Sequence, residues 1–130
     1  MRTVSRLVFA AAGLLLILTV SGCGGGSRVR GKLTNGGAPV TVSDKGVIVM
    51  FFAPEGWEGQ GSGADVKPDG TYEAKGFENK GLKPGKYRIS VQQFDPYPTT
   101  DKLEGKFAQG KSPIVRDVNG GTLDIDLAKP

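Results

Sequence analysis

Two proline-glycine turns within residues 64–91 constrain the fold of this chain more than any other feature. In the first turn, Lys67-Pro68-Asp69-Gly70, proline sets φ for the second position, and aspartate and glycine tolerate the tight geometry that follows. The second turn, Pro84-Gly85, precedes an alternating strand whose apolar members are Tyr87, Ile89 and Val91. Such alternation is typical of a strand with one face in the core and one in solvent. The segment therefore predicts short antiparallel strands.

The rest of the chain repeats this pattern of short strands and glycine-rich turns. The sequence has 21 glycines and 8 prolines among 130 residues, and no long run of strong helix formers follows residue 20. The strand at 47–53 is apolar on both faces, so we expect it to lie centrally with both sides covered. Residues 95–112 show no period and form either a functional or a loosely ordered loop. We expect seven strands, at residues 28–33, 47–53, 64–66, 71–74, 86–94, 114–118 and 122–127.

The N-terminal residues have the composition of a bacterial secretion signal. Arg2 and Arg6 form a positive region, and an apolar run follows from Leu7 to Val20. The run ends in Val20-Ser21-Gly22-Cys23, which resembles the lipobox of bacterial lipoproteins. That resemblance implies cleavage before Cys23 and attachment of a diacylglyceryl group to its thiol. We therefore expect a signal peptide at residues 1–22 and a lipid anchor in the membrane at Cys23.

Two alternatives to lipidation remain open: ordinary cleavage that leaves Cys23 as a free thiol, and an uncleaved membrane anchor. The apolar run is shorter than the roughly 20 residues that span a bilayer. An exposed unpaired cysteine is a liability in an oxidising compartment, so lipidation is favoured. Residues 24–27 then form a short flexible tether after the lipidated cysteine.

The residue after the cysteine bears on localisation in the cell envelope. In lipoproteins of two-membrane bacteria, an aspartate at this position retains the protein in the inner membrane. Gly24 stands there in this chain. The resemblance therefore favours the outer membrane of a bacterial cell envelope.

Four segments carry the glycine and proline spacing of the remaining chain: G-K-L-T-N-G-G-A-P-V, V-I-V-M-F-F, V-K-P-D-G-T-Y-E-A-K-G and L-K-P-G-K-Y-R-I-S-V. Together they resemble the carboxypeptidase regulatory-like domains of the transthyretin-like superfamily, over residues 28–127. The resemblance implies an all-β fold, a seven-stranded antiparallel Greek-key β-sandwich, as one domain of residues 28–130. For small bacterial lipoproteins with such a domain, it implies no established enzymatic activity.

The residue inventory excludes several chemistries. The chain has no histidine, and its one cysteine is expected to carry lipid. Zinc, copper and non-haem iron sites of the usual ligand types therefore cannot form, nor can a Ser-His-Asp or Cys-His arrangement. The chain has 17 basic and 13 acidic residues, but Arg2 and Arg6 lie in the expected signal peptide, so the remaining charge is no nucleic-acid footprint. We expect no metal, no cofactor and no nucleic-acid partner.

Acidic residues offer two further chemistries that the sequence does not favour. Glu55 and Glu58 flank Trp57, and such a pair suits glycoside hydrolysis only if a cleft holds both carboxylates. On a glycine-rich loop, solvated charges fit better. We therefore expect that the protein is not an enzyme. Three acids of the 95–112 loop lack the regular spacing of a calcium-binding loop: Asp95, Asp101 and Glu104.

A charge pattern links the first and last predicted strands. Arg28, Arg30 and Lys32 alternate onto the outer face of the first strand. In this fold the first and last strands can be neighbours, so we expect the basic stripe to face Asp124 and Asp126. Each exposed pair would contribute under about 1 kcal/mol.

Three aromatic side chains in the two longest loops form the candidate binding surface: Trp57, Tyr97 and Phe107. Aromatics on loops over a rigid scaffold commonly stack on sugars or grip protein partners. Pro96 and Pro98 stiffen the segment around Tyr97. Trp57 has a second interpretation, as a lid folded onto one end of the core, and this interpretation is favoured.

These observations predict a non-catalytic, lipid-anchored protein of the cell envelope. The lipid on Cys23 is expected to anchor the protein in the membrane. The β-sandwich is expected to bind another envelope protein as an assembly module. The alternative is a carbohydrate-binding module for envelope or environmental polysaccharide that uses the same aromatic residues.

Overall fold

The computed structural model describes residues 26–130 and contains nine strands that pair into one sheet. A single 3-10 turn, Phe77–Asn79, is the one helical segment of this region. Within the same residues, no helix has the length and apolar character needed to cross a bilayer. The strands are β1 (Val29–Asn35), β2 (Ala38–Pro39), β3 (Val47–Pro54), β4 (Ser62–Val66), β5 (Thr71–Ala74), β6 (Gly85–Phe94), β7 (Val115–Val118), β8 (Gly121–Thr122) and β9 (Ile125–Asp126).

The prediction of an all-β, mainly antiparallel fold is confirmed. The Lys67–Gly70 turn closes with a bond from the Gly70 N–H to the Lys67 carbonyl at 2.9 Å, and it joins β4 to β5 as an antiparallel pair. The strand count differs from the expected seven in two places. A two-residue strand, β2, pairs with the end of β1, and the expected last strand is divided into β8 and β9.

The order of strands shows how the sheet curls. Along the sheet the order is β2-β1-β5-β4-β3-β6-β7, and β8 and β9 pair with β1 in parallel. Thus β7 lies at one edge, whereas β8 pairs with β1 near the other end of that order. Only Asn119 and Gly120 separate β7 from β8, a connection that spans about 10 Å. Because so short a link joins the two ends, the sheet curls into a half-barrel.

The core fills the concave side of the curled sheet, with β3 at its centre. Ile48, Met50 and Phe52 of β3 are buried, and the Phe52 ring lies 5.9 Å from that of Tyr72 and 6.4 Å from that of Tyr87. The alternate residues of β3, on the convex side, are only half-buried or exposed. The central position predicted for this strand is confirmed. The expected cover on both sides is wrong, because the sheet curls around one face only.

The long 95–112 loop is ordered. The Asp101 carboxylate accepts the N–H groups of Gln93 at 2.9 Å, Leu103 at 2.9 Å and Gly105 at 3.1 Å. Further along, the Phe107 carbonyl accepts the Val91 N–H at 2.7 Å, so the loop runs beside β6. Of the two alternatives for this segment, loose order is therefore excluded.

The basic stripe on β1 pairs with an acid other than those expected. Arg28 and Arg30 lie 3.4 Å and 3.5 Å from the Glu73 carboxylate of β5. The neighbouring positions of the first and last strands are confirmed, since β1 pairs with β9. The predicted ion pairs with Asp124 and Asp126 are wrong.

The two aspartates bind backbone amides instead of basic side chains. Asp124 accepts the Lys32 N–H at 2.8 Å. Lys32 lies between the part of β1 that pairs with β8 and the part that pairs with β9. Asp126 accepts the Gly36 and Gly37 N–H groups at 2.8 Å and 3.2 Å and so holds the β1–β2 turn. Both carboxylates thus replace missing backbone acceptors.

Candidate functional site

The predicted lipidation site lies outside the described residues. Cys23 and its preceding Val20, Ser21 and Gly22 precede residue 26, so the lipid anchor stays a prediction. Gly26 and Ser27, which were expected to belong to the flexible tether, are instead bonded to the fold. The Gly26 N–H donates to the Lys80 carbonyl at 3.0 Å, and Ser27 and Leu82 exchange two backbone bonds of 3.0 Å and 2.9 Å.

Among residues 26–130, four large apolar side chains are exposed, and they lie in two pairs. Their exposed fractions are 57% for Trp57, 58% for Phe77, 57% for Tyr97 and 39% for Val47. In the ladder between β3 and β6, Val47 is opposite Phe94 at one end, and Pro54 is opposite Tyr87 at the other. Since β3 has eight residues, these ends are about 23 Å apart.

We name the two ends by their residues. The entry end contains Gly26, Trp57 and Phe77, because Trp57 closely follows Pro54 and all three residues line one groove. The far end contains Val47, Phe94 and Tyr97, since the Phe94 and Tyr97 rings lie 5.7 Å apart. The candidate binding residues Trp57 and Tyr97 are therefore at opposite ends of the sheet.

The third candidate, Phe107, belongs to neither end. Its side chain is partly buried and packs against the core. Trp57 in contrast is mainly exposed, so its favoured interpretation as a core lid is wrong. The structure brings none of the three predicted aromatics together into one surface.

At the entry end, exposed aromatic rings border an apolar groove of about 500 Å³. Its buried part is formed by Phe52, Leu82 and Tyr87, and its exposed edge by Trp57 and Phe77. The Tyr87 hydroxyl donates to the Lys83 carbonyl at 2.7 Å, so its polar atom is satisfied. Two ammonium groups, those of Lys80 and Lys83, are the charged groups that line this groove.

Trp57 also borders a second cleft of about 460 Å³ with a more polar lining. Its polar side chains include Glu58, Gln60, Arg88 and Gln109. An aromatic face beside amide and guanidinium donors has the chemistry to hold a sugar ring. Of the acidic pair considered for glycoside hydrolysis, Glu58 lines the cleft and Glu55 does not, so the two carboxylates do not face one substrate position.

At the far end, Tyr97 is exposed but firmly held. Its N–H donates to the Lys45 carbonyl at 2.8 Å, and its ring packs edge-on against Phe94 at 83°. The Asp95 carboxylate accepts the Ser43 N–H at 2.8 Å and the Ser43 hydroxyl at 2.5 Å. Those two bonds, from the hydroxyl first and then the N–H, lower the pKa of Asp95 below its usual value. They also fix the loop that presents the tyrosine ring.

The acids considered for calcium have other partners. Asp95 and Asp101 accept backbone N–H groups, and Glu104 lies 3.4 Å from Lys106. Across residues 26–130 there is no group of three or more His, Cys, Asp or Glu side chains placed to hold a metal ion. These carboxylates shape the loop.

Sequence reasoning missed two of the exposed apolar residues, Phe77 and Val47. Phe77 is a lone aromatic between Gly76 and Gly81, in a stretch that is otherwise polar. That context is a signal for an aromatic on a turn. Val47 begins an apolar strand, and nothing local distinguishes its exposure from the burial of Ile48.

The similarity of this chain to a known protein is distant and structural. No family model matches the chain, and no curated protein matches it. The solved structure of a DUF3823 family protein from Bacteroides ovatus is similar with 19% sequence identity and a TM-score of 0.43, over 78% of this chain and 43% of that chain. This chain thus spans less than half of that protein's solved chain.

Proposed function

We propose that this protein is a lipid-anchored, non-catalytic component of the bacterial cell envelope that docks onto another protein through its far end. The observation that carries the proposal is Tyr97, which is 57% exposed and yet held by backbone and ring contacts. It lies at the end of the sheet opposite Gly26, where the chain enters the fold. A partner would therefore meet the surface that is farthest from the anchor.

The proposal includes the N-terminal processing and the finer fold. Residues 1–22 act as a lipoprotein signal peptide, Cys23 carries the lipid, and the outer membrane is the destination. The curled sheet is proposed as a variant of the seven-stranded Greek-key sandwich of transthyretin-like domains. In that interpretation, β8 and β9 together correspond to the closing strand, and β2 is an addition to the first hairpin.

The far end has the physical properties of a docking surface. An aromatic side chain that is already fixed loses little conformational entropy on binding, and aromatic residues are frequent among the energetically dominant interface positions. Val47 and Phe94 extend the apolar surface next to Tyr97. The neighbouring carboxylate of Asp95 accepts two hydrogen bonds from Ser43, so both of its oxygens have donors beside the apolar surface.

Co-purification tests this proposal with a matched control. The full chain, tagged at its C-terminus, is extracted from its own envelope in mild detergent as wild type, Tyr97→Ala and Phe77→Ala. Tyr97 and Phe77 are equally exposed aromatics, at 57% and 58%, on opposite ends. We expect one stoichiometric partner with wild type and Phe77→Ala, and its recovery to fall roughly tenfold or more with Tyr97→Ala. Equal recovery with both variants would contradict the proposal.

The second candidate function is carbohydrate binding at the Trp57 cleft. It is favoured by the exposed Trp57 face beside Gln60, Arg88 and Gln109. Because Trp57 is the chain's one tryptophan, its fluorescence reports binding directly. Titration with envelope polysaccharide should shift or quench that emission, and Gln109→Ala should weaken the response. No change at saturating polysaccharide would remove this candidate.

A further inference from the structure

The chain enters the fold at the entry end, close to the expected lipid anchor. Gly26 itself lines the apolar groove next to Trp57 and Phe77. Cys23 lies three residues before Gly26, a distance of at most about 11 Å for an extended chain. A headgroup layer is of comparable thickness, roughly 5–8 Å on each side of the hydrocarbon. An anchor at Cys23 therefore brings this groove to the membrane surface.

The chain cannot swing away from the groove at Gly26. Its N–H is bonded to Lys80, and Ser27 is paired with Leu82. Gly81 has a φ of +82°, and a Cβ there would lie 2.5 Å from the backbone carbon of Gly26. This close backbone contact fixes the direction in which the chain leaves the fold. Because Cys23 lies within about 11 Å of Gly26, an anchor at Cys23 would keep the groove close to the bilayer.

The exposed chemistry of the entry end suits a lipid headgroup layer. Tryptophan is enriched at the membrane interface, and phenylalanine is common on surfaces that insert to the level of the upper acyl chains. Trp57 and Phe77 expose more than half of their surface and border a groove whose buried residues are apolar. Single exposed apolar side chains are common on folded domains in water, but two large rings exposed beside one apolar groove indicate an interaction surface.

The charges at the groove have the sign that lipid phosphates attract. The charged side chains that line it are Lys80 and Lys83, and both are basic. Lys80 lies 3.0 Å from Glu78, which reduces its net effect, whereas Lys83 has no ion pair within residues 26–130. Basic groups beside exposed aromatics add an electrostatic attraction to anionic lipid.

We propose that the entry end docks onto the bilayer in which the chain is anchored, with the rings of Trp57 and Phe77 inserted between the headgroups as far as the upper acyl chains. The inference goes beyond docking of a partner at the far end, and it rests on the anchored N-terminus of the proposed function. It gives the domain a fixed orientation, with the far end directed away from the membrane. It also assigns Trp57 to lipid, so it competes with the carbohydrate candidate.

Tryptophan quenching by brominated lipid tests the inference. The full lipidated chain is reconstituted into vesicles of phosphatidylcholine and phosphatidylglycerol, with and without brominated acyl chains. Bromine quenches only indole rings that lie close to it, so Trp57 should lose most of its emission in the brominated vesicles. In the vesicles without bromine, its emission should lie at the shorter wavelengths of an indole ring removed from water. A second probe, Phe77→Trp in a Trp57→Phe background, should be quenched equally. The control, Tyr97→Trp in the same background, should keep its emission.

Each outcome decides between the possibilities. Quenching at positions 57 and 77 but not 97 supports docking of the entry end. A chain that floats with the vesicles but is quenched no more at 57 and 77 than at 97 overturns this inference and leaves the proposed function standing. A chain that does not float with the vesicles overturns the anchor and, with it, both proposals. Emission that responds to polysaccharide and not to brominated lipid assigns Trp57 to sugar.

Discussion

Individual carboxylates in this protein act as substitutes for backbone acceptors. Asp69 accepts the Thr71 N–H and hydroxyl at the β4–β5 turn, Asp95 binds Ser43, and Asp126 binds three backbone amides. A carboxylate that accepts several N–H or O–H bonds is stabilised in its charged form. Asp95 and Asp126, which sequence patterning marks as metal and ion-pair candidates, therefore hold turns in place.

The stability of the fold should fall in acid. The pKa of Asp126 lies below its ordinary 3.8, because of the Ala128 N–H first and the Gly36 N–H second, and the pKa values of Asp69 and Asp95 are lowered as well. A lowered folded-state pKa contributes stability that is present above the unfolded-state pKa and is lost as pH falls through the folded-state pKa. Thermal unfolding between neutral pH and pH about 2 should show this loss below pH about 4.

The Asp126→Asn variant provides the control for the acid loss. Its melting temperature should be a few degrees lower at neutral pH and should change less on acidification. A wild-type melting temperature that stays constant down to the lowest pH would contradict this origin of the acid sensitivity.

Salt separates the two kinds of contact that the acids make. Asp126→Asn replaces one of the two carboxylate oxygens that accept backbone N–H groups by an NH2 donor, so its effect should persist in high salt. Glu73→Gln removes the exposed ion pairs with Arg28 and Arg30, so its smaller effect should disappear in high salt. Melting curves of both variants at low and high ionic strength make the comparison. An Asp126→Asn effect that salt abolishes would restore the ion-pair interpretation.

Among the strands, β1 holds the most partners. It pairs with β5 and β2 and, in parallel, with β8 and β9. Gly31 lies in the middle of β1, where a Cβ would collide with the Leu123 carbonyl. The Tyr72 hydroxyl donates to that same carbonyl, and its burial raises the pKa of the phenol. The link between β8 and β9 thus requires a residue without a side chain at position 31.

Substitution of Gly31 should therefore weaken the closure of the sheet. We expect Gly31→Val to lower the free energy of unfolding by about 1–3 kcal/mol, the range for overpacked sites. Gly63→Ala is the matched control, because its Cβ would lie 3.5 Å from Phe51, an ordinary contact. Denaturant unfolding measures both variants. Equal stability of Gly31→Val and Gly63→Ala would show that β1 is not closely packed against residue 123.

Phe107 and Trp57, in two different loops, should contribute differently to the free energy of unfolding. Phe107 packs on the core, so Phe107→Ala should cost about 1–2 kcal/mol of unfolding free energy. Trp57 is exposed, so Trp57→Ala should change stability by no more than about 0.5 kcal/mol. The same denaturant titration compares them. A larger loss for Trp57→Ala would return that residue to the role of a core lid.

The positions of the strands were predictable from local chemistry, whereas the tertiary contacts of individual side chains were not. Turn residues such as Pro68 and Gly70 and the alternation from Tyr87 to Val91 determine strands by short-range sterics and burial. Asp124 accepts the Lys32 N–H because the pairing of β1 is interrupted there, between β8 and β9. The position of that interruption depends on the tertiary pairing of strands that are distant in sequence. The exposure of Trp57 depends likewise on the path of a glycine-rich loop that local sequence does not specify.

Considered as one body, the domain has two unlike ends joined by the β3–β6 ladder. The entry end carries the chain toward Cys23 and presents Trp57 and Phe77. The far end presents Tyr97 on a loop fixed by hydrogen bonds. In the proposed function, this ladder would hold the membrane-facing end about 23 Å from the partner-facing end. We infer that the β3–β6 ladder keeps the proposed membrane-facing surface apart from the proposed partner-facing surface.

Photocrosslinking in intact cells tests this division of the molecule. A photoreactive amino acid is placed at position 97 in one variant and at position 57 in another, both in the full chain, and irradiated in the native envelope. We predict a discrete protein adduct from position 97 and lipid labelling without that adduct from position 57. A discrete protein adduct from position 57, with none from position 97, would contradict the assignment of the two ends.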